Sequence, residues 1–131
     1  MPAARDFMAT ELVVLAPEMS VHEAMRLFLE NDVSGAPVVD PHGSVVGVLT
    51  ERDCLQVIYR ASYHKDPGGS VAEYMSDKVK TIDADTDLIE VIEVFLRSRF
   101  RRFPVLDGTR LVGQISRRDI LRAVVDLWSG A

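Results

Sequence analysis

The chain repeats itself. Met8 and Met75, Phe28 and Phe95, and Pro37 and Pro104 each stand 67 residues apart, whereas Gly47 and Gly113, and Asp53 and Asp119, stand 66 apart. One deletion accounts for the change: the segment Asp40-Pro41-His42-Gly43-Ser44 is answered by the shorter Asp107-Gly108-Thr109-Arg110. Turns are where such deletions are tolerated. Two copies are too few for a solenoid, and a unit of this size is marginal alone, so the copies are expected to pack together.

Within each copy the pattern is the same. Residues 1–10 predict a short lead-in helix ending near Phe7-Met8, and Val71-Ala72-Glu73-Tyr74-Met75 repeats its character. Leu12-Val13-Val14-Leu15 and Val79-Lys80-Thr81-Ile82 predict short strands, the first closed by Ala16-Pro17. Ser20 and Asp87 are placed to cap helices running from Val21 to Asn31 and from Leu88 to about Arg99. Ala24, Leu27, Phe28 and Asn31 share a face of the first, with Met25 beside it; Leu88, Val91, Ile92, Phe95 and Leu96 make the second apolar. Pro37–Asp40 with Val45–Leu49, and Arg102–Leu106 with Leu111–Ile115, are β-branched runs around turn residues, a hairpin signal in each copy. The closing helices run from Glu51 to about Tyr63, with Leu55, Ile58 and Tyr59 on the apolar face, and from Arg117 to about Trp128, with Ile120, Leu121, Val124, Val125 and Trp128. His64-Lys65-Asp66-Pro67-Gly68-Gly69-Ser70 reads as a linker. The expected domains are therefore 1–63 and 71–131, joined by 64–70.

The junction before each closing helix carries chemistry. Gly47-Val48-Leu49-Thr50-Glu51-Arg52-Asp53 and Gly113-Gln114-Ile115-Ser116-Arg117-Arg118-Asp119 each read as a strand end, a hydroxyl N-cap and an aspartate three positions on. One copy alone is a capping arrangement, a simple N-cap or a capping box with Asp in place of the usual Glu or Gln. Two matched copies point past capping toward a ligand site.

Charge narrows the ligand. The chain has a net charge of −5, which argues against a general nucleic-acid binder, so no nucleic-acid partner is expected. The deficit sits entirely in residues 1–67. The second half is balanced and concentrates arginines at 97, 99, 101, 102, 117 and 118. Such a local cluster fits capture of a compact anion such as phosphate, unless these arginines pair with Glu90, Glu93 and Asp87 or simply face solvent. Composition is that of a globular chain with no run long enough to span a bilayer, and one cysteine fits a reducing cytoplasm. Cys54 reads either as a small core residue or as a helix-start thiol with a lowered pKa. His22, His42 and His64 show no metal-ligand spacing, and Asp83-Ala84-Asp85-Thr86-Asp87 lacks the glycine and distal glutamate of an EF-hand loop. No P-loop, GxGxxG or nucleophile set is present, so neither catalysis nor a required cofactor is expected.

Together the small-x-Pro-Val segments, the hairpins, the Gly-hydrophobic-x-hydrophobic-Thr/Ser-x-x-Asp motifs and their pairing resemble a tandem pair of CBS domains, the Bateman module. The resemblance covers about residues 7–128. It implies an α+β fold of two β-α-β-β-α repeats packed sheet to sheet about a pseudo-twofold axis, a lead-in helix before each, and two inter-repeat clefts. It implies an adenosyl ligand, whether AMP, ADP, ATP or S-adenosylmethionine. Asp53 and Asp119 match the aspartate that binds the ribose diol, and Thr50 and Ser116 the hydroxyl near phosphate or ribose. Thr81 and its counterpart Val14 match the strand-start position near adenine. Ala36-Pro37 and Phe103-Pro104 match the wall beside the base. Arg101, Arg102, Arg117 and Arg118 stand where phosphate contacts would be, against Ser34-Gly35 and Glu51 in the first copy, so the second site is expected to bind better. A homodimer is implied, as is an enzyme or transporter regulated in trans; the alternative is an interaction scaffold with vestigial clefts.

Overall fold

The computed structural model describes residues 1–64 and 69–130. Residues 65–68, the middle of the expected linker, lie outside it. The elements are α1 (Ala4–Phe7), α2 (Val21–Asn31), β1 (Gly35–Val39), β2 (Val45–Thr50), α3 (Glu51–His64), α4 (Val71–Tyr74), β3 (Ile82–Asp83), α5 (Leu88–Leu96), β4 (Arg102–Asp107), β5 (Arg110–Ser116) and α6 (Arg117–Trp128).

The long helices start where local chemistry places them. Ser20 Oγ accepts the Glu23 amide at 3.1 Å, and Asp87 Oδ1 accepts that of Glu90 at 3.0 Å, each satisfying an otherwise orphaned donor. α2 stops at Asp32, whose φ of 52° carries its amide back to the Phe28 carbonyl. α5 ends at Leu96, a turn before the expected Arg99. In the first hairpin, Asp40 Oδ1 accepts the amides of His42 at 2.9 Å and Ser44 at 3.0 Å, and Gly43 takes a φ of 86°. The shorter second turn passes through Gly108 at 63°.

The chain forms two compact units: residues 13–79, and residues 1–12 together with 80–131. In the unit of residues 13–79, β1 and β2 are antiparallel, with Ala36 opposite Leu49. Its core holds Leu15, Val21, Ala24, Phe28, Val38, Leu49 and Cys54, with Val57 and Val71. In the other unit, β3 runs parallel to β4, and β4 antiparallel to β5 with Phe103 opposite Ile115. Its core holds Ile82, Leu88, Val91, Phe95, Val105, Ile115 and Ile120, with Ala4. Apart from Val57, whose counterpart Ala123 is half-buried, these are the same positions at the repeat spacing, so the duplication in sequence is a duplication of the core.

The lead-in helices are exchanged. α1 docks on the unit of the second repeat, through Ala4 N to Thr86 O at 2.8 Å and a pair of bonds between Ala9 and Gln114. Arg5 adds an ion pair to Asp85 at 2.9 Å. α4 docks on the first, through Val71 N to Met19 O at 2.8 Å and a matching pair between Val48 and Ser76. Gly47 and Gly113 are the seats. A Cβ on Gly113 would stand 2.9 Å from the Ala9 carbonyl oxygen and overlap the Met8 side chain, and one on Gly47 would meet Ser76 O and Met75 in the same way. The recurring Met and Gly of the sequence are thus a knob and its socket.

Both expected opening strands and the expected faces of both closing helices are corrected. The strand over Leu12–Leu15 is a single parallel bridge from Leu15 to Val38. Leu15 N and O are both used, with Pro37 O and Val39 N, and Pro17 two residues on has no donor to continue a ladder. Its counterpart shrinks to Ile82–Asp83, leaving Thr81 just outside. On α3 the buried side chains are Cys54 and Val57, whereas Leu55, at 65% exposure, faces outward with Ile58 and Tyr59. On α6 only Ile120 is fully buried, and Leu121, Val125 and Trp128 are exposed.

Candidate functional site

Each junction is built by a strand that delivers a hydroxyl to a helix start. At the second, Ser116 closes β5 and caps α6. Asp119 Oδ2 accepts Ser116 N at 2.8 Å and Ser116 Oγ at 3.0 Å, and Ser116 Oγ accepts Asp119 N at 3.3 Å. At the first, Asp53 Oδ2 accepts Thr50 N at 2.8 Å and Thr50 Oγ1 at 3.0 Å, with Asp53 N on Thr50 Oγ1 at 3.3 Å. Both are capping boxes with aspartate as the third residue, so one carboxylate oxygen at each junction is committed to structure. The other oxygen is where they differ. Asp119 Oδ1 is held by Arg122 Nη1 at 3.0 Å, whereas Asp53 Oδ1 has no hydrogen-bonding partner among the described residues. A carboxylate anchored through one oxygen can still receive a hydroxyl pair through the other and through remaining lone pairs.

β4 and β5 bring Arg102 opposite Ser116, and Arg117 N donates to Arg101 O at 3.3 Å, so Arg101, Arg102, Ser116 and Arg117 gather at one end of the sheet. The alternative, pairing with Glu90, Glu93 and Asp87, is absent among the described residues: the arginines in ion pairs there are Arg5, Arg26 and Arg122. Arg101, Arg117 and Arg118 are exposed and Arg102 is half-buried. In the first unit the corresponding pair is Gly35 opposite Thr50, with Ser34 O accepting Glu51 N.

The remaining positions are less open. Thr81 and Val14 are exposed, each one residue before the paired Ile82 or Leu15. Ala36, Pro37, Phe103 and Pro104 are buried. The Phe103 ring, at 1% exposure, packs edge-to-face on Phe95 with centroids 4.8 Å apart and also meets Phe100. It is a core side chain, which leaves its backbone as what it can offer a base. Cys54 is buried too; burial first, then Asp53 and Glu51, push its thiol pKa up, so the lowered-pKa reading is set aside.

What the sequence reading missed is the neighbourhood of Asp119 on its own helix. A cleft of about 580 Å³ runs beside it, lined by Phe7, Met8, Asp119, Arg122, Asp126 and Leu127. The i, i+3 spacing of Asp119 and Arg122 was the available signal.

The sequence pattern of the CBS domain matches residues 4–60 and again residues 71–126. The chain belongs to the CBS domain family. Its CBS pair is 31% identical, over 90% of this chain, to an uncharacterized 17.7 kDa protein of Acidianus ambivalens. It is 30% identical, over 86% of its length, to an inosine-5'-monophosphate dehydrogenase of Methanocaldococcus jannaschii. The chain spans 70% of the first protein but 21% of the second. Among solved structures, that of the CBS-pair protein CBSX2 in complex with AMP is 29% identical, with a TM-score of 0.86 over 98% of this chain and 99% of that one. The α+β fold of two CBS repeats is therefore established. Among the described residues no helix is long and apolar enough to cross a membrane.

Proposed function

We propose that this CBS pair is a non-catalytic regulatory module that binds an adenosyl ligand (AMP, ADP, ATP or S-adenosylmethionine) and passes occupancy to a second copy or another protein. The observation that carries this reading is the duplicated junction, a fixed carboxylate beside a hydroxyl at a helix N-terminus, where a ribose diol and an anion are both served. Similarity to CBSX2, solved with AMP, supports the ligand class. The arginines that make no ion pair among the described residues favour the second junction: Asp119, Ser116, Arg117, Arg118, Arg101 and Arg102, with Thr81 and the backbone of Phe103-Pro104 toward the base. Asp53, Thr50, Val14, Ala36 and Pro37 form the weaker counterpart. A dimer through the exposed faces of α3 and α6, a cytoplasmic location, and an enzyme or transporter as the regulated partner belong to the same proposal. The match to a fifth of a dehydrogenase is the arrangement in which such a pair would act on an enzyme.

A second reading, an interaction scaffold with vestigial sites, is favoured by those same faces, where Leu55, Tyr59, Leu121, Val125 and Trp128 are exposed. Ligand-linked melting separates the two. A sensor with ligand at 100 times its dissociation constant gains about 2.7 kcal/mol of stability. We expect one adenosyl ligand to raise the melting temperature of the wild type and not that of Asp119→Ala. The comparison must use the shift and not the absolute midpoint, because Asp119→Ala also loses one arm of its capping box, at a cost of about 0.5–2 kcal/mol. No shift with any ligand at millimolar concentration would leave the scaffold.

A further inference from the structure

Arg122 stands between two acids of its own helix, three residues after Asp119 and four before Asp126. It now holds Asp119 Oδ1 at 3.0 Å; the Arg122 side chain is 68% exposed and that of Asp119 12%. Arg122 and Asp126 both line the cleft beside Asp119, and both also line a groove on the outer face of α6 with Arg118, Leu121 and Val125. One exposed guanidinium therefore borders the carboxylate that a ribose would need and the exposed face that a partner would touch.

We propose that Arg122 is a two-position latch: it occupies Asp119 Oδ1 when no ligand is bound and transfers to Asp126 when a ribose hydroxyl takes that oxygen. The proposal rests on the adenosyl reading above. It requires that neither position win by much, since a switch responds only when its states are nearly balanced. The Arg122 side chain is 68% exposed and Asp126 is exposed, so solvent screens both its present pair at i, i+3 and the alternative at i, i+4, and neither is strong. Asp126 makes no ion pair among the described residues and is free to receive the guanidinium. The first unit serves as an internal comparison. Its corresponding positions are Asp53, Gln56 and Arg60, so it has the capping box but neither the latch cation nor the receiving acid. The two junctions thus share their capping chemistry but differ in regulation: binding at Asp119 moves a charge on the outer face of α6, and binding at Asp53 moves none.

Adenosine and AMP are the probes, adenosine because it has the diol without the phosphate. Titration into Asp53→Ala protein isolates the second junction. Adding Arg122→Gln, the residue found at the matching position, removes the competitor, and adenosine is expected to bind about two- to five-fold tighter. Adding Asp126→Asn removes the receiving acid, and binding is expected to weaken about two- to three-fold. These opposite signs are not expected of a merely structural residue. Arg122→Gln binding adenosine equally or more weakly, with binding still lost in Asp119→Ala, would overturn the latch alone. Binding of neither probe to any of these proteins would overturn the adenosyl reading and the latch together. In the ligand-free protein, side-chain relaxation of Arg122 Nε should show more order in the wild type than in Asp119→Asn, and equal mobility would also overturn the latch.

Discussion

Phe103→Ala should destabilise the protein by about 3–5 kcal/mol, the cost of removing a fully buried aromatic ring and leaving a cavity. The ring is 1% exposed and packs at 88° on Phe95 and at 78° on Phe100, so its loss removes two edge-to-face contacts as well as apolar area. The matching position in the other repeat is Ala36, itself buried, so the strand backbone accepts alanine and the loss would be one of packing. Phe103→Leu, which keeps most of the volume, should cost much less. Urea unfolding measures both. A loss below about 1 kcal/mol for Phe103→Ala would mean that the ring is not the centre of that core.

Gly113→Ala should cost about 1–3 kcal/mol, where the same change in an unobstructed strand would be neutral or better. The added methyl would stand 2.9 Å from the Ala9 carbonyl oxygen, and that carbonyl is pinned by its bond from Gln114 N at 2.9 Å. Met8 can rearrange, but the backbone cannot, so Met8→Ala should recover only part of the loss. The defect should be local. Hydrogen exchange at the amides of Ala9 and Gln114 should accelerate as the lead-in segment lifts, while amides of α3 stay protected. Gly47→Ala should release α4 in the same way, by crowding Met75 and Ser76. Unchanged exchange at Ala9 would show that the knob and socket do not hold the segment.

Much of this architecture is legible in the residues. Ser20 and Asp87 begin their helices because their side chains accept the amides of Glu23 and Glu90, and Asp40 with Gly43 sets the first hairpin for equally local reasons. The failures have physical causes. Leu55, Ile58 and Tyr59 are the most apolar stripe of α3, so a pattern ranked by hydrophobicity turns the helix the wrong way. The stripe that packs inward is made of the smaller Cys54 and Val57. Leu12–Leu15 has strand composition, but one residue of it finds a partner before Pro17 ends the ladder. The resemblance puts Phe103 at the cleft wall, whereas its contacts with Phe95 and Phe100 make its ring part of the core. The docking of α1 on residues 80–131 depends on the path of the whole chain, and only the recurrence of Met8 with Gly113 and Met75 with Gly47 hinted at it.

At the junctions, sequence reading found the hydroxyl and the carboxylate but not what each carboxylate oxygen was doing. The central claim is that Asp119 has binding to offer beyond its cap. Calorimetric titration of AMP into the wild type, Asp119→Ala and Asp53→Ala tests it most directly. The account predicts saturable binding to the wild type and an affinity at least about ten-fold lower in Asp119→Ala, from the loss of charged hydrogen bonds to the diol, with a smaller change in Asp53→Ala. Equal affinity in Asp119→Ala and the wild type would contradict it, and would leave Asp119 as a cap alone.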